Sequence, residues 1–261
     1  MAILTQNSLK LRKHRRWVLR LALLVGILAC FLWAETIEAK YTIEYGVFGQ
    51  MGIASASRTV ENGKYHINLS AKTTGIARFL SGEREEFFES SGIVKNGLLE
   101  PRVYKHRVVR NSQEAQGLQT IKNVQKIKES IYEFDYVKNQ ITQEKIKSKN
   151  GEIYSRTKEI LDYFAHDDLL SLFFNFSSRM QDVESEKTLF AVGANKENGS
   201  LHVKYLGANK EGKSYLAILN EPIFASENGA LHVSLDSSGL CEKAVLENVI
   251  LFGDIRAIRE D

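Results

Sequence analysis

His166-Asp167-Asp168 brings an imidazole and two carboxylates together, a grouping able to bind a divalent cation or move protons. Metal sites gather three or four ligands at recognisable spacing, and nothing else in the sequence completes this set. The triplet stands just before the apolar run "LLSLFFNFSSRM". There a carboxylate can accept the free amide hydrogens of a first helical turn and face the positive end of its dipole. Capping by Asp167 or Asp168 is the expected role. Ser155-Arg156-Thr157-Lys158 matches the Ser-x-x-Lys nucleophile pattern, but that chemistry needs a helix start and a following Lys-Thr-Gly, and this stretch reads as a strand. Gly46, Gly49 and Gly52 recur at a spacing of three. A dinucleotide cradle needs Gly-x-Gly-x-x-Gly leading into a helix. Here a strand follows, so these glycines are expected to relax a turn or a bend in a curved sheet. No Walker loop and no Gly-x-Ser-x-Gly occurs, and Cys241 has no sequence neighbour that would activate it. These residues predict no catalytic group, no metal and no cofactor.

The elements around them are mostly strands. In "KYHINLSAKT" Tyr65, Ile67, Leu69 and Ala71 share one face, with Lys64, His66, Asn68, Ser70 and Lys72 on the other. That alternation predicts a half-buried antiparallel strand. Asn62-Gly63 before it, with "IASASRTV" beyond, predicts a hairpin, because a type I′ turn needs positive φ at both central residues. Asn96-Gly97 and Asn150-Gly151 mark further turns. "PRVYKHRVV" is ambiguous in phase. In "NVQKIKESIYEFDYV" Tyr132, Phe134 and Tyr136 face one way, and a phase slip near Ser130-Ile131 predicts a bulge. "ENGSLHVKYL" and "ENGALHVSLD" recur 30 residues apart, read as shared hairpin grammar with duplication the alternative, and with His202 and His232 on polar faces. "EKAVLENVILFGDIRAI" supplies one or two closing strands, with Val249 to Phe252 apolar on both faces.

One segment breaks the alternation. Leu169, Phe173, Phe176 and Met180 fall at helical spacing, and Leu170, Leu172 and Phe174 make the helix apolar almost all round. Such a helix must be covered on most sides. The predicted fold is therefore mainly β: a strongly curved antiparallel sheet, a half or incomplete barrel, wrapped around one apolar helix near 168–180.

Hydrophobic residues make up 43% of the chain, enough for a sizeable core. Residues 1–39 hold six Lys/Arg against two Asp/Glu, leaving 29 bases against 30 acids in the rest. The basic character is thus local, and nucleic acid is not an expected partner. "KLRKHRR" followed by the uncharged 14-residue run Leu21–Ala34 has the form of an export signal. The expected organisation is a leader at 1–39 and a single β-rich domain at 40–261. Cleavage after Ala39, retention as an inner-membrane anchor, and acylation at Cys30 are alternative fates of that leader. Removal would leave Cys241 alone, so no internal disulfide is expected. Lysines 122, 126, 128, 138, 145, 147 and 149, interrupted by Glu129, Glu133, Asp135 and Glu144, read as a solvated face, with anionic headgroups the alternative contact.

"YTIEYGVFGQMGIASASRTVENGKYHINLSAKTTG", "GLLEPRVY" and "DDLLSLFFNF", in that order, resemble an uncharacterised family of exported proteins from Gram-negative bacteria. Pro101, Arg102 and Tyr104 match its strand start. Asp168, Leu170, Ser171, Phe173 and Phe174 match its helix, and only Arg179 can serve as the arginine expected after the aromatics. The resemblance implies a fold similar to the periplasmic lipoprotein carriers and no catalytic residues. The expectation is a periplasmic, non-catalytic protein binding a hydrophobic or lipid-like ligand. Leu169, Phe173, Phe176, Tyr132, Phe134 and Tyr136 would line that pocket, or else simply fill a closed core. The rivals are an envelope interaction module, anchored by an uncut N-terminus and binding another protein, and a hydrolase of envelope polymers, which would need an acid–base cluster the sequence lacks.

Overall fold

The computed structural model describes residues 34–116, 120–182, 184–195, 197–210, 212–218, 229–249 and 253–260. The leader expected at 1–39 lies outside these residues up to 33, as does the expected apolar crossing at 250–252. Strand β1 (Glu35–Tyr45) opens the fold, so a boundary after Ala39 falls inside a strand whose first residues pair with the next.

The first half of the chain is a run of antiparallel neighbours. A short turn at Gly46–Phe48 leads to β2 (Gln50–Glu61). Gly46 and Gly49 both take positive φ there, and Gly52 sits inside β2. Strand β3 (Lys64–Thr73) follows the Asn62-Gly63 turn, in which both residues have positive φ as a type I′ hairpin requires. Helix α1 (Gly75–Leu80) leads to β4 (Glu85–Lys95), the long β5 (Leu98–Gln116), β6 (Thr120–Asp135), β7 (Gln140–Lys149) and β8 (Glu152–Ile160). The two-residue β9 (Asp167–Asp168) and helix α2 (Leu169–Arg179) come next. The rest is β10 (Glu186–Val192), β11 (Ser200–Ala208), β12 (Gly212–Ile218), β13 (Ala230–Asp236), β14 (Cys241–Val249) and β15 (Gly253–Glu260).

Among the described residues 15 strands form one sheet, in the order β8-β7-β6-β5-β4-β3-β2-β1-β15-β14-β13-β12-β11-β10-β9. Every pairing is antiparallel except the short parallel contact of β9 with β10. The sheet is curved and does not close, which bears out the mainly β expectation. Two hydrophobic cores lie against α2. One uses Leu189, Val203, Tyr215, Ala217 and Leu235 of β10–β13. The other uses Tyr65, Ile67, Leu99, Tyr104, Phe134 and Ile141 of β3–β7. A single helix can serve both only because the sheet bends around it.

The bulge expected at Ser130-Ile131 is absent; β6 keeps unbroken register with both neighbours. Ile131 lies on the face opposite Tyr132 and is half-buried there, as is Ile127. The alternation weakens because both faces carry apolar residues. Register shifts lie elsewhere in the sheet, one of them between Ser91 and Gly92, opposite Pro101. A Cβ on Gly92 would fall 2.1 Å from the Glu100 carbonyl oxygen and 2.9 Å from Pro101 Cα, both backbone atoms. Gly97, in the adjoining turn, has open space around its Cβ position. Gly92→Ala is expected to cost about 2–3 kcal/mol by forcing β4 from β5, and Gly97→Ala about 1 kcal/mol for its left-handed backbone. Urea denaturation of the two variants checks the order.

Candidate functional site

Helix α2 starts where Asp168 leaves the strand conformation, at φ −99° and ψ 175°. Asp168 Oδ1 accepts hydrogen bonds from the amides of Leu170 (2.8 Å) and Ser171 (2.9 Å), and Ser171 Oγ accepts one from the Asp168 amide (2.8 Å). This reciprocal cap satisfies the orphan donors of the first turn. The other carboxyl oxygen reaches across to the sheet: Ser90 Oγ donates to Asp168 Oδ2 at 2.6 Å, and Ser90 shares a 3.0 Å hydrogen bond with Tyr65 Oη. Asp168 and Ser90 are completely buried.

A second set of polar bonds runs further along the helix. Asn175 Oδ1 accepts from the Leu99 amide, and Asn175 Nδ2 donates to the Leu99 carbonyl, each at 2.9 Å. Asn175 thus pairs with β5 as a neighbouring strand would. Its Nδ2 also donates to Asp167 Oδ1 at 2.7 Å. Arg179 closes the set, its Nε and guanidinium nitrogen 3.0 and 2.9 Å from Asp167 Oδ2. Arg179 therefore has the structural partner that its place in the sequence pattern left open.

Burial dominates the titration of both carboxyls. It lifts Asp168 to about 6, against the pull of Ser90 and the two helix amides. Asp167 is also raised by burial, with Arg179 and Asn175 opposing. His166 also opposes the rise at Asp167, and its ring packs against Phe164 and Tyr136. The His-Asp-Asp triplet is a helix cap and a strut, as expected of the cap. Among the described residues no group of three or more His, Cys, Asp or Glu side chains could hold a metal ion. Ser155 to Lys158 lie within strand β8, as expected.

The apolar side of α2 presents two stripes. Leu172, Phe176 and Met180, four residues apart, enter the β10–β13 core. Leu170 and Phe174 enter the β3–β7 core, and Leu169 touches both. Of the pocket candidates, Phe173 and Phe176 belong to the first core, Tyr132, Phe134 and Tyr136 to the second, and Leu169 joins them. Phe176 meets Tyr215 edge to face at 5.1 Å, and Tyr104 stacks on Tyr132 at 5.6 Å. Four of the six, Leu169, Phe173, Tyr132 and Tyr136, keep part of their surface uncovered.

No family model, curated protein or solved structure matches this chain. The site must be read from its own chemistry. Sequence reasoning missed Ser90, Tyr65 and Asn175, since no local pattern marks a strand serine that will meet a helix cap 78 residues away. The Asp-x-x-Ser spacing of Asp168 and Ser171 was the available signal for the reciprocal cap. Among the described residues no helix is long and apolar enough to cross a membrane.

Proposed function

We propose that this chain is a non-catalytic protein of the cell envelope that binds a hydrophobic or lipid-like ligand between helix α2 and the curved sheet. One observation carries the reading. Four apolar side chains on the concave side, Leu169, Phe173, Tyr132 and Tyr136, remain partly uncovered beside a sheet that does not close. Apolar surface left open in a concavity gains about 25 cal/mol per Å² when a ligand covers it. The helix is tied to the sheet by Asp168 to Ser90 and by Asn175 to Leu99, so the opening is set by its apolar side chains and not by its backbone.

Titration of the purified full chain with a fluorescent naphthylamine probe, with solvent extraction and mass spectrometry for carried lipid, tests this. The expected result is saturable binding displaced by a long-chain lipid, and at least about tenfold weaker in Phe173→Lys, which places a charge in the apolar opening. No extractable lipid and no saturable signal would overturn it.

A second reading, an envelope interaction module, is favoured by strand β8. It is the sheet's edge, is exposed along almost its whole length, and carries Ile153, Tyr154 and Ile160 on its surface. An open strand edge is a template for strand addition. A stable partner lost on Thr157→Pro would favour this reading.

A further inference from the structure

Strand β1 begins at Glu35, directly after the uncharged run Leu21–Ala34 in the sequence. Its first residues belong to the folded sheet. Glu35, Thr36, Ile37, Glu38 and Ala39 lie opposite Val60, Thr59, Arg58, Ser57 and Ala56 of β2. Ala39 is buried, and so is Ala56 across from it. Ile37 is half-buried. Thr36 Oγ1 and Thr59 Oγ1 are 3.5 Å apart. Arg58 donates to Glu35 Oε1, and its guanidinium carbon sits 5.4 Å from the centre of the Phe174 ring on α2. Arg58 is largely covered, and its Nε is buried without an acceptor. Among the described residues Glu35 is the carboxylate that balances this cation.

A cut after Ala39 would remove these contacts. Strand β15 pairs with β1 only from Lys40 onward, so residues 56–60 of β2 would become an open ladder edge. Arg58 would remain over Phe174 without its acid, and a covered cation left unpaired is costly. A retained leader fits no better. The 14 uncharged residues, even wound fully as a helix, reach about 21 Å, short of the hydrocarbon layer of about 30 Å. The headgroup layer adds about 6 Å on each side, and a strand advances about 3.3 Å per residue. With no tether between run and strand, Glu35 and Thr36, with Val60 and Thr59 beside them, would have to fold inside that layer. Acylation at Cys30 would leave Phe31, Leu32 and Trp33 as the link, large apolar side chains in place of a polar tether. A cut after Ala34 meets each requirement. It has the small residue that a leader cleavage site needs, it ends the apolar run, and every residue that pairs with β2 stays on the chain.

We infer that the leader is removed by hydrolysis of the Ala34–Glu35 bond, so that the mature chain begins with the first residue of β1. Water adds across that peptide bond: Ala34 leaves with the carboxylate, and Glu35 keeps the new α-ammonium. Export itself comes from the envelope reading above, on which this cut depends.

Expression of the full chain in a Gram-negative host tests it, with cell fractionation, N-terminal sequencing and intact mass of the product. The expected product starts at Glu35. Ala34→Leu, which sets a bulky residue beside the bond, is expected to abolish that product, whereas Ala39→Leu is expected to leave the cut in place. Pulse-labelling reads the cut before the chain has folded, so the stability of either variant does not enter. A wild-type product starting at Lys40, an acylated product starting at Cys30, or an intact chain held in the membrane fraction would each overturn the site and leave the envelope reading standing. Survival of the cut in Ala34→Leu with its loss in Ala39→Leu would do the same. An intact chain in the cytosol would overturn the site and the envelope reading together.

Discussion

Asp168→Ala is expected to lower the unfolding free energy by about 3–5 kcal/mol at pH 4.5. The substitution removes a helix cap, worth about 1 kcal/mol. It also leaves the Leu170 and Ser171 amides and the Ser90 hydroxyl without their shared acceptor, in a site with no water contact. Each buried unsatisfied group costs about 1–3 kcal/mol. Asp168→Asn keeps the cap acceptor and the side-chain shape, so about 1 kcal/mol is expected. The two variants separate further by pH. Burial raises the folded carboxyl to about 6, above the usual 3.8. The folded chain then holds this proton more tightly than the unfolded chain. The resulting stability is complete below pH 3.8 and is lost as pH rises through 6, about 3 kcal/mol in all. When protonated, Asp168 can donate to Ser90, which turns its own hydrogen towards Tyr65, so the polar chain survives either state. Urea denaturation between pH 4.5 and 7.5 is the measurement. Wild type should weaken with pH across the window relative to Asp168→Asn, and the deficit of Asp168→Ala should shrink. Equal slopes for wild type and Asp168→Asn would refute the assignment.

Phe176→Ala should cost about 3–5 kcal/mol, from lost burial and the cavity left behind. Phe176 is 8% exposed, sits in the second half of α2, and meets Tyr215 edge to face. The edge-to-face contact adds about 0.5–1.5 kcal/mol beyond area. Phe176→Leu retains most of the volume and is expected to cost about 1.5 kcal/mol. Chemical denaturation should show the midpoint moving with the slope unchanged. Phe173→Ala, at a partly uncovered position of the same helix, should cost less than half as much. A Phe173→Ala loss equal to that of Phe176→Ala would mean that the concave opening beside Phe173 is packed shut.

The strands were legible because the evidence for them is local. Tyr65, Ile67, Leu69 and Ala71 alternate without a break, and Asn-Gly pairs announce three hairpins whose asparagines all take positive φ. The helix was legible because its apolar residues follow a different period, and its cap because a carboxylate stood at its start. What stayed hidden depends on register between distant strands. The shift at Gly92, where only a glycine lets Glu100 and Pro101 come so close, is a fact about the pairing of β4 with β5. Helix α1 was missed because six residues after two threonines carry too little periodicity to register. The candidate site was half legible: its apolar members share a spacing on α2, whereas Ser90 and Asn175 meet their partners only after the sheet has bent.

Strand β1 lies between β2 and β15, with Lys40 opposite Glu260 and Tyr45 opposite Ile255. Tyr41 Oη reaches past β15 to donate to the Cys241 carbonyl at 2.8 Å. Strand β1 therefore waits for β15. Until β15 has been made one side of β1 has no partner, and a nascent chain carries an unsatisfied ladder. Pairing across so long a loop is slow, and open ladders recruit other chains. Chains truncated before Gly253 would keep that side of β1 vacant and β14 bare, and self-association would follow from the missing seam even with every other contact intact.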